Sequence, residues 1–141
     1  MNELTIFQRE EWTDLKLIDQ KNKEKYTGFF YILEWDHRVK IGCTKAPYNR
    51  LMSLQRTAEK YGDSQLGRFA LSVPHTNYRE NEKILHRHFS DKQEKGSELF
   101  SIQFEDALGA MPTVIYMDNS KEREEKAEQF FQAMKKFTLG G

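Results

Sequence analysis

The segment 28–50 constrains the fold most strongly, because its pattern is that of a β-hairpin followed directly by a helix. An aromatic and aliphatic run at 29–33 and a second short run at 39–43 flank a polar turn that contains an aspartate, which is typical of hairpins. Side chains alternate between the two faces of a strand, so Lys40 and Gly42 share one face of the second strand. The hairpin therefore predicts a small sheet at the centre of the fold.

The remaining sequence adds helices and further strands to this sheet. The predicted elements after the hairpin are a helix (44–61), a third strand (67–73), a helix (77–89), a short strand (99–102), a helical turn (104–110), a strand (113–117) and a last helix (119–137). This order predicts an α/β (α+β) fold with a small central three-stranded sheet, mixed or antiparallel. Helices flank the sheet, and a C-terminal strand and helix are added to it.

The chain has 141 residues, a length that fits one domain. We expect an N-terminal helical extension at 1–26, a central domain at 27–111, and a strand–helix extension of the same domain at 112–141. No run of eighteen apolar residues occurs, and the first residues lack the apolar region of a signal peptide. The single cysteine, Cys43, fits a reducing compartment. These observations predict a cytoplasmic protein with no membrane partner.

Charge is unevenly distributed along the chain, although the formal net charge is zero. The segment 38–68 contains seven basic residues and two acidic ones. A basic surface over the hairpin and the following helix would suit contacts with phosphate groups. Arg38, Lys45 and Arg56 are therefore candidate nucleic-acid contacts, although a mixed, solvated helix face would give the same counts.

Five short motifs follow one another between residues 27 and 100. They are FFY at 29–31, KIG at 40–42, an arginine at 50, EKILHRHF at 82–89 and GSELF at 96–100. In this order they resemble the signature of the GIY-YIG nucleases, in the phage-type branch that has KIG in place of YIG. In this resemblance Gly42 and Thr44 are structural motif positions.

The resemblance implies phosphodiester hydrolysis with one metal ion, Mg²⁺, for which Mn²⁺ would substitute. Tyr31 would act as a general base, which requires a depressed pKa because a phenol normally ionises near pH ~10. Lys40, across the hairpin, is the expected cause of that depression, since a nearby cation favours phenolate. Arg50 offers a planar fork that matches phosphate oxygens. Glu82 offers the hard oxygen ligand that Mg²⁺ prefers.

The sequence departs from the family pattern near its arginine, since Leu54 stands where a histidine is expected four residues after Arg50. His86 is the main substitute as a proton donor or phosphate contact, and the alternative is a solvated Glu/His pair on an ordinary helix. His37, in the hairpin turn, is a weaker substitute. Glu98 would support the arginine or a metal-bound water.

These features predict a metal-dependent DNA endonuclease of phage, mobile-element or defence origin. The alternative is a catalytically weak or inactive nucleic-acid-binding protein of the same fold, with an anti-restriction or regulatory role. A third hypothesis is an interaction protein that dimerises through the apolar face at 130–137. The sequence does not distinguish DNA from RNA, or single strands from duplexes. One active site cuts one strand, so duplex cutting would require a homodimer or two sequential cuts.

Overall fold

The computed structural model describes residues 4–22, 25–62 and 64–114, and an antiparallel sheet forms its centre. The strands are β1 (Leu4–Phe7), β2 (Phe29–Trp35), β3 (Arg38–Thr44), β4 (Leu66–Ser72) and β5 (Leu99–Phe100). They lie in the order β1-β4-β2-β3-β5, and each neighbouring pair is antiparallel. The predicted fold class is confirmed. The described sheet has five strands, because β1 and β5 extend the three central ones.

The predicted hairpin is present as β2 and β3, which are joined by a two-residue turn at Asp36 and His37. Asp36 has a φ of 57°, a left-handed conformation that aspartate tolerates and that short hairpin turns require. Its backbone N–H donates to the carbonyl of Gln65 at 2.8 Å, and its Oδ1 accepts from the Gln65 N–H at 2.6 Å. The turn is thus tied to the residue that leads into β4.

Four α-helices flank the described sheet. They are α1 (Leu15–Lys21), α2 (Pro47–Tyr61), α3 (Tyr78–His88) and α4 (Phe104–Gly109). α2 begins three residues later than predicted because Thr44 still pairs with Phe29 in the hairpin. Pro47 fits the first turn of α2, where its missing N–H is not needed. The carboxylate of Asp19 in α1 accepts from the N–H groups of Tyr48 and Asn49, which satisfies two of the free donors of α2.

The sheet has a hydrophobic core on each face. On one face α1, α2 and the preceding 3₁₀ helix (Arg9–Asp14) cover Tyr31 and Leu33 of β2. On the other face α3 and α4 cover Phe30 and Ile32 of the same strand. β2 is therefore buried on both faces, which fixes its register and that of its neighbour β3.

The expectation of a helical N-terminal extension is wrong for residues 4–7, which form the edge strand β1. Leu4 pairs with Ser72 and Phe7 pairs with Phe69, so β1 supplies the outer partner that the backbone of β4 needs. The segment LTIF contains β-branched residues that favour a strand, a signal that the polar surroundings hide. Trp12 and Leu15 are buried in the core, as expected of docking residues.

The predicted C-terminal strand at 113–117 and helix at 119–137 lie outside the described residues from position 115 onward. Residues 113 and 114 are not part of a strand. Within the described part of the chain, none of the helices has the length and apolar composition of a membrane span.

A buried histidine fixes the start of α3 to the start of the hairpin. His75 and Gly28 exchange two backbone hydrogen bonds, of 2.9 and 3.1 Å. The fully buried imidazole donates from Nδ1 to the carbonyl of Val73 at 2.7 Å, because a carbonyl can only accept. Its Nε2 therefore accepts from the amide of Asn81 at 3.1 Å. Burial lowers the pKa of His75, outweighing the Val73 hydrogen bond and the charge of Glu80, so this imidazole is kept neutral.

We predict that the stability of the protein falls as the pH is lowered through the range in which the unfolded histidine titrates. Below its ordinary pKa of about 6.5, His75 takes up a proton in the unfolded chain that the folded state resists. The free energy of unfolding should therefore decrease from about pH 7 to about pH 5, and His75 should add no pH dependence above about pH 7. Urea unfolding at a series of pH values measures this.

The His75→Gln variant should lose that part of the pH dependence, whatever its absolute stability. The control is His37→Gln, since His37 is exposed in the hairpin turn. An equal pH dependence of the free energy of unfolding in the two variants would contradict the conclusion that His75 is kept neutral in the folded protein.

Candidate active site at the end of strand β3

Tyr31 and Gly42 face each other across the hairpin, and the phenol ring occupies the space above the glycine. A Cβ atom on Gly42 would lie 2.5 Å from the phenol oxygen and 2.8 Å from Cζ of Tyr31. The ring packs on its far side against Phe69, with centroids 5.2 Å apart, and the side chain is fully buried. A glycine is therefore required at position 42 for the phenol to take this place.

Arg50 reaches back from the first turn of α2 to the same phenol. Its Nε–H donates to the phenol oxygen of Tyr31 at 3.3 Å. The strand-to-helix connection is ordered by Thr44, whose Oγ1 accepts from the N–H of Ala46 at 3.0 Å. The hydrogen bond to Tyr31 raises the pKa of Arg50, so its guanidinium stays charged.

The expected depression of the Tyr31 pKa by Lys40 is wrong. Burial raises the pKa of Tyr31 to about 12, and this effect exceeds the opposing hydrogen bond and charge of Arg50. The ammonium of Lys40 instead pairs with the carboxylate of Glu98 at 3.2 Å. The sequence places Lys40 on the correct face but does not show that the ring is buried. Tyr31 is therefore a neutral phenol near pH 7.

Glu82 lies on the other side of the same strand end, where α3 crosses β3. The thiol of Cys43, the residue after Gly42, donates a hydrogen bond to the Glu82 carboxylate. Burial and this bond raise the pKa of Cys43 to about 12, so the thiol keeps its proton. Cys43 is thus partly buried and protonated, and it contacts a candidate metal ligand.

His86 anchors α3 to β3. Its Nε2 lies 2.8 Å from the carbonyl of Ile41 and 3.6 Å from Oε1 of Glu82. Since a carbonyl only accepts, Nε2 carries a hydrogen and donates to Ile41. The ring also packs edge-on against Phe100, with centroids 5.0 Å apart. His86 therefore positions Glu82 next to the strand.

Glu98 completes the cluster from the segment before β5. Its backbone carbonyl accepts from the N–H of Ile41 at 3.2 Å, and the next two residues, in β5, pair with Val39 and Lys40 of β3. The charge of the Glu98 carboxylate also acts on Tyr31, Arg50 and Cys43. The residues gathered at this end of β3 are Tyr31, Lys40, Gly42, Cys43, Arg50, Glu82, His86 and Glu98.

Four other candidate residues lie elsewhere. Arg38 is at the turn end of the hairpin, where it pairs with Glu94 at 2.7 Å, and the exposed His37 is beside it. Arg56 is exposed on α2, one and a half turns beyond the site. Lys45 is exposed directly after β3, and its ammonium donates to the carbonyl of Lys25.

The donor groups at this site suit one kind of metal ion. Among the described residues there is no group of three or more histidine, cysteine, aspartate or glutamate side chains that could hold a metal. Glu82 offers one partly exposed carboxylate, and the Glu98 carboxylate is more open. Mg²⁺ commonly takes one or two carboxylates and completes its shell with water and substrate phosphates. The residues present fit such an ion and not a closed structural site.

A comparison with family models matches residues 28–114 to the T5orf172 domain. The chain belongs to the T5orf172 domain family. This is a phage-type domain of the nuclease-like or DNA-binding kind. A search of the curated proteins and a search of the solved structures gave no match. The part of the chain that matches the T5orf172 domain includes every residue gathered at the end of β3.

Sequence reasoning missed Arg79, whose positive charge also acts on Cys43. The spacing of Arg79, Glu82 and His86 at i, i+3 and i+7 puts all three on one stripe of α3, and that periodicity could have revealed it. It also missed the buried pair of His75 and Asn81, because no local pattern distinguishes a buried histidine from an exposed one.

We predict that Gly42→Ala destabilises the protein by about 1–3 kcal/mol, the usual penalty for overfilling a packed core. The new methyl group would collide with the phenol of Tyr31, which Phe69 prevents from withdrawing. Gly109→Ala is the control, because a Cβ there meets open space. Urea unfolding of the two variants measures the difference, and equal stability would contradict the described packing.

Proposed function

We propose that the protein is a metal-dependent endonuclease of the GIY-YIG type that hydrolyses phosphodiester bonds of DNA at the end of β3. One observation carries the proposal: Arg50 and Glu82, from different helices, are held by hydrogen bonds at the same strand end. A guanidinium for the phosphate oxygens and a carboxylate for a metal are what this reaction needs. The match to the T5orf172 domain supports the same class of function.

Arg50 would bind the scissile phosphate. Its Nε–H is engaged with Tyr31, which fixes the plane of the guanidinium and leaves the terminal N–H groups to contact phosphate oxygens. Its charge is not lost at any working pH, because its pKa is raised above an already high value. Arg50 would therefore stabilise the negative charge that builds up on the phosphate in the transition state.

Glu82 would hold Mg²⁺, and the bound ion would supply positive charge to the phosphate and to the leaving oxygen. The thiol of Cys43 donates to the Glu82 carboxylate, and the N–H of His86 lies near Oε1. These two contacts orient the carboxylate, much as hydrogen bonds from neighbouring residues orient metal ligands in general. The Glu98 carboxylate, whose charge also acts on Arg50 and Cys43, would orient a water molecule at this site.

Tyr31 would act as a neutral phenol. Its oxygen accepts from Arg50, and because the side chain is fully buried its role in this structure is to hold the guanidinium in place. With a pKa of about 12, it cannot take a proton from water near neutral pH in this structure. A role as general base requires that pKa to fall when the substrate binds.

A binding module without catalysis is the second candidate, and the raised pKa of Tyr31 favours it. Such a protein would use the same strand end to hold a phosphate without cleaving it. For the nuclease, DNA is the proposed substrate and RNA is an alternative with the same backbone chemistry. Cutting of both strands would involve a homodimer.

We predict that the purified protein cleaves plasmid or single-stranded DNA in the presence of Mg²⁺ or Mn²⁺. Glu82→Gln and Arg50→Gln should each reduce the cleavage rate by at least about 100-fold, the typical effect of removing a group that stabilises transition-state charge. Cleavage is followed by gel electrophoresis at saturating DNA, and circular dichroism confirms that each variant is folded.

The matched controls are Glu59→Gln and Arg87→Gln, which remove the same charges from exposed positions on α2 and α3. Both should cleave at nearly the wild-type rate. Full activity of either Glu82→Gln or Arg50→Gln would refute the mechanism. Folded wild-type protein that binds DNA without cutting it would select the binding module.

A further inference from the structure

A cavity lies beside the end of β3, and basic residues dominate its wall. Its volume is about 480 Å³, and it opens between the turn at 25–26, the residue after β3 and the first turn of α3. The charged side chains that line it are Lys25, Lys45 and Arg79, against one acidic residue, Glu80. The wall therefore carries a net positive charge near neutral pH, which suits an anionic ligand.

Two of these cations are held by aromatic rings. The guanidinium of Arg79 lies 5.5 Å from the centre of the Tyr78 ring, and the ammonium of Lys25 lies 5.4 Å from that of Tyr26. The Tyr78 ring is itself fixed, because it packs directly over Gly28, where a Cβ would approach to 2.7 Å. Arg79 thus projects from a rigid support.

The arginine of this cavity differs from the arginines at the other end of the sheet in its salt bridges. Arg38 pairs with Glu94, and Arg68 forms a two-pronged contact with Glu34. Within residues 4–114 as described, Arg79 has no such salt bridge with a carboxylate. Its charge remains available to a ligand, whereas the charges of the other two arginines are already compensated.

The cavity adjoins the proposed catalytic residues. Lys45 directly follows Thr44, the last residue of β3. Arg79 precedes Glu82 by three residues on the same face of α3, a distance of about 4.5 Å along the helix axis. Successive nucleotides of a strand in a duplex advance by about 3.4 Å along the helix axis, so a strand whose scissile phosphate lies at the proposed metal site has a neighbouring phosphate within reach of the cavity.

We propose that this cavity is a subsite for the substrate strand, in which Arg79 and Lys45 bind a backbone phosphate next to the one that is cut. The inference rests on the proposed nucleic-acid substrate and adds that the strand runs along the first turn of α3. Recognition of this kind is independent of base sequence, because it contacts only the backbone.

The test measures DNA binding without metal, so that no cleavage takes place. A fluorescein-labelled DNA oligonucleotide is titrated in EDTA at several salt concentrations with wild type and with the double variant Lys45→Gln/Arg79→Gln. The double variant should bind at least about tenfold more weakly, and the slope of log Kd against log salt should become shallower by about 1 for each lost phosphate contact.

The matched control is Lys83→Gln/Arg87→Gln, which removes the same two charges from exposed positions on α3. Its salt slope should remain that of the wild type. Equal slopes for the two double variants would overturn the subsite, even if the wild type cleaves DNA with Mg²⁺. A shallower slope of log Kd against log salt that is confined to Lys45→Gln/Arg79→Gln would support the subsite. This holds even if no variant cleaves and the nuclease proposal fails.

Discussion

The contact between the phenol of Tyr31 and the bare backbone of Gly42 is the constraint on which the candidate site depends. The space for the ring exists only because position 42 lacks a side chain, and the ring in turn presents its oxygen to Arg50. Burial on both faces holds β2 in one register, so the phenol cannot shift along the strand. The packing that keeps Arg50 in place also keeps the phenol protonated, because burial raises its pKa.

The alternation of side chains along β3 lets one strand end serve two helices. Gly42 faces α2 and admits the Tyr31–Arg50 pair, whereas the next residue, Cys43, faces α3 and contacts Glu82. Beyond Ile41 the outer edge of β3, on the side away from β2, has no strand partner among the described residues, so a substrate could approach this open edge. A cationic group and a candidate metal ligand thus meet at one place, although they belong to helices on opposite faces of the sheet.

Much of this arrangement follows from local sequence patterns. The hairpin, the helix that carries Arg50 and the amphipathic helix that carries Glu82 could be predicted, because period-two and 3.6-residue patterns are local. Three features could not: the pairing of β1 with β4, the cap that Asp19 provides for α2, and the burial of Tyr31. Each depends on residues distant in the chain. For that reason the direction of the Tyr31 pKa shift, which burial decides, was predicted wrongly.

The most direct test of the central claim is to locate a bound divalent ion relative to β3 by NMR, using Mn²⁺ to broaden nearby signals. The signals of Gly42, Cys43 and the Arg50 Nε–H should broaden, while those of the hairpin turn at 36–37 should not. Glu82→Gln should abolish the effect without changing the remaining spectrum. Broadening centred elsewhere in the protein, or unchanged broadening in Glu82→Gln, would contradict the claim that Glu82 holds a metal beside Arg50.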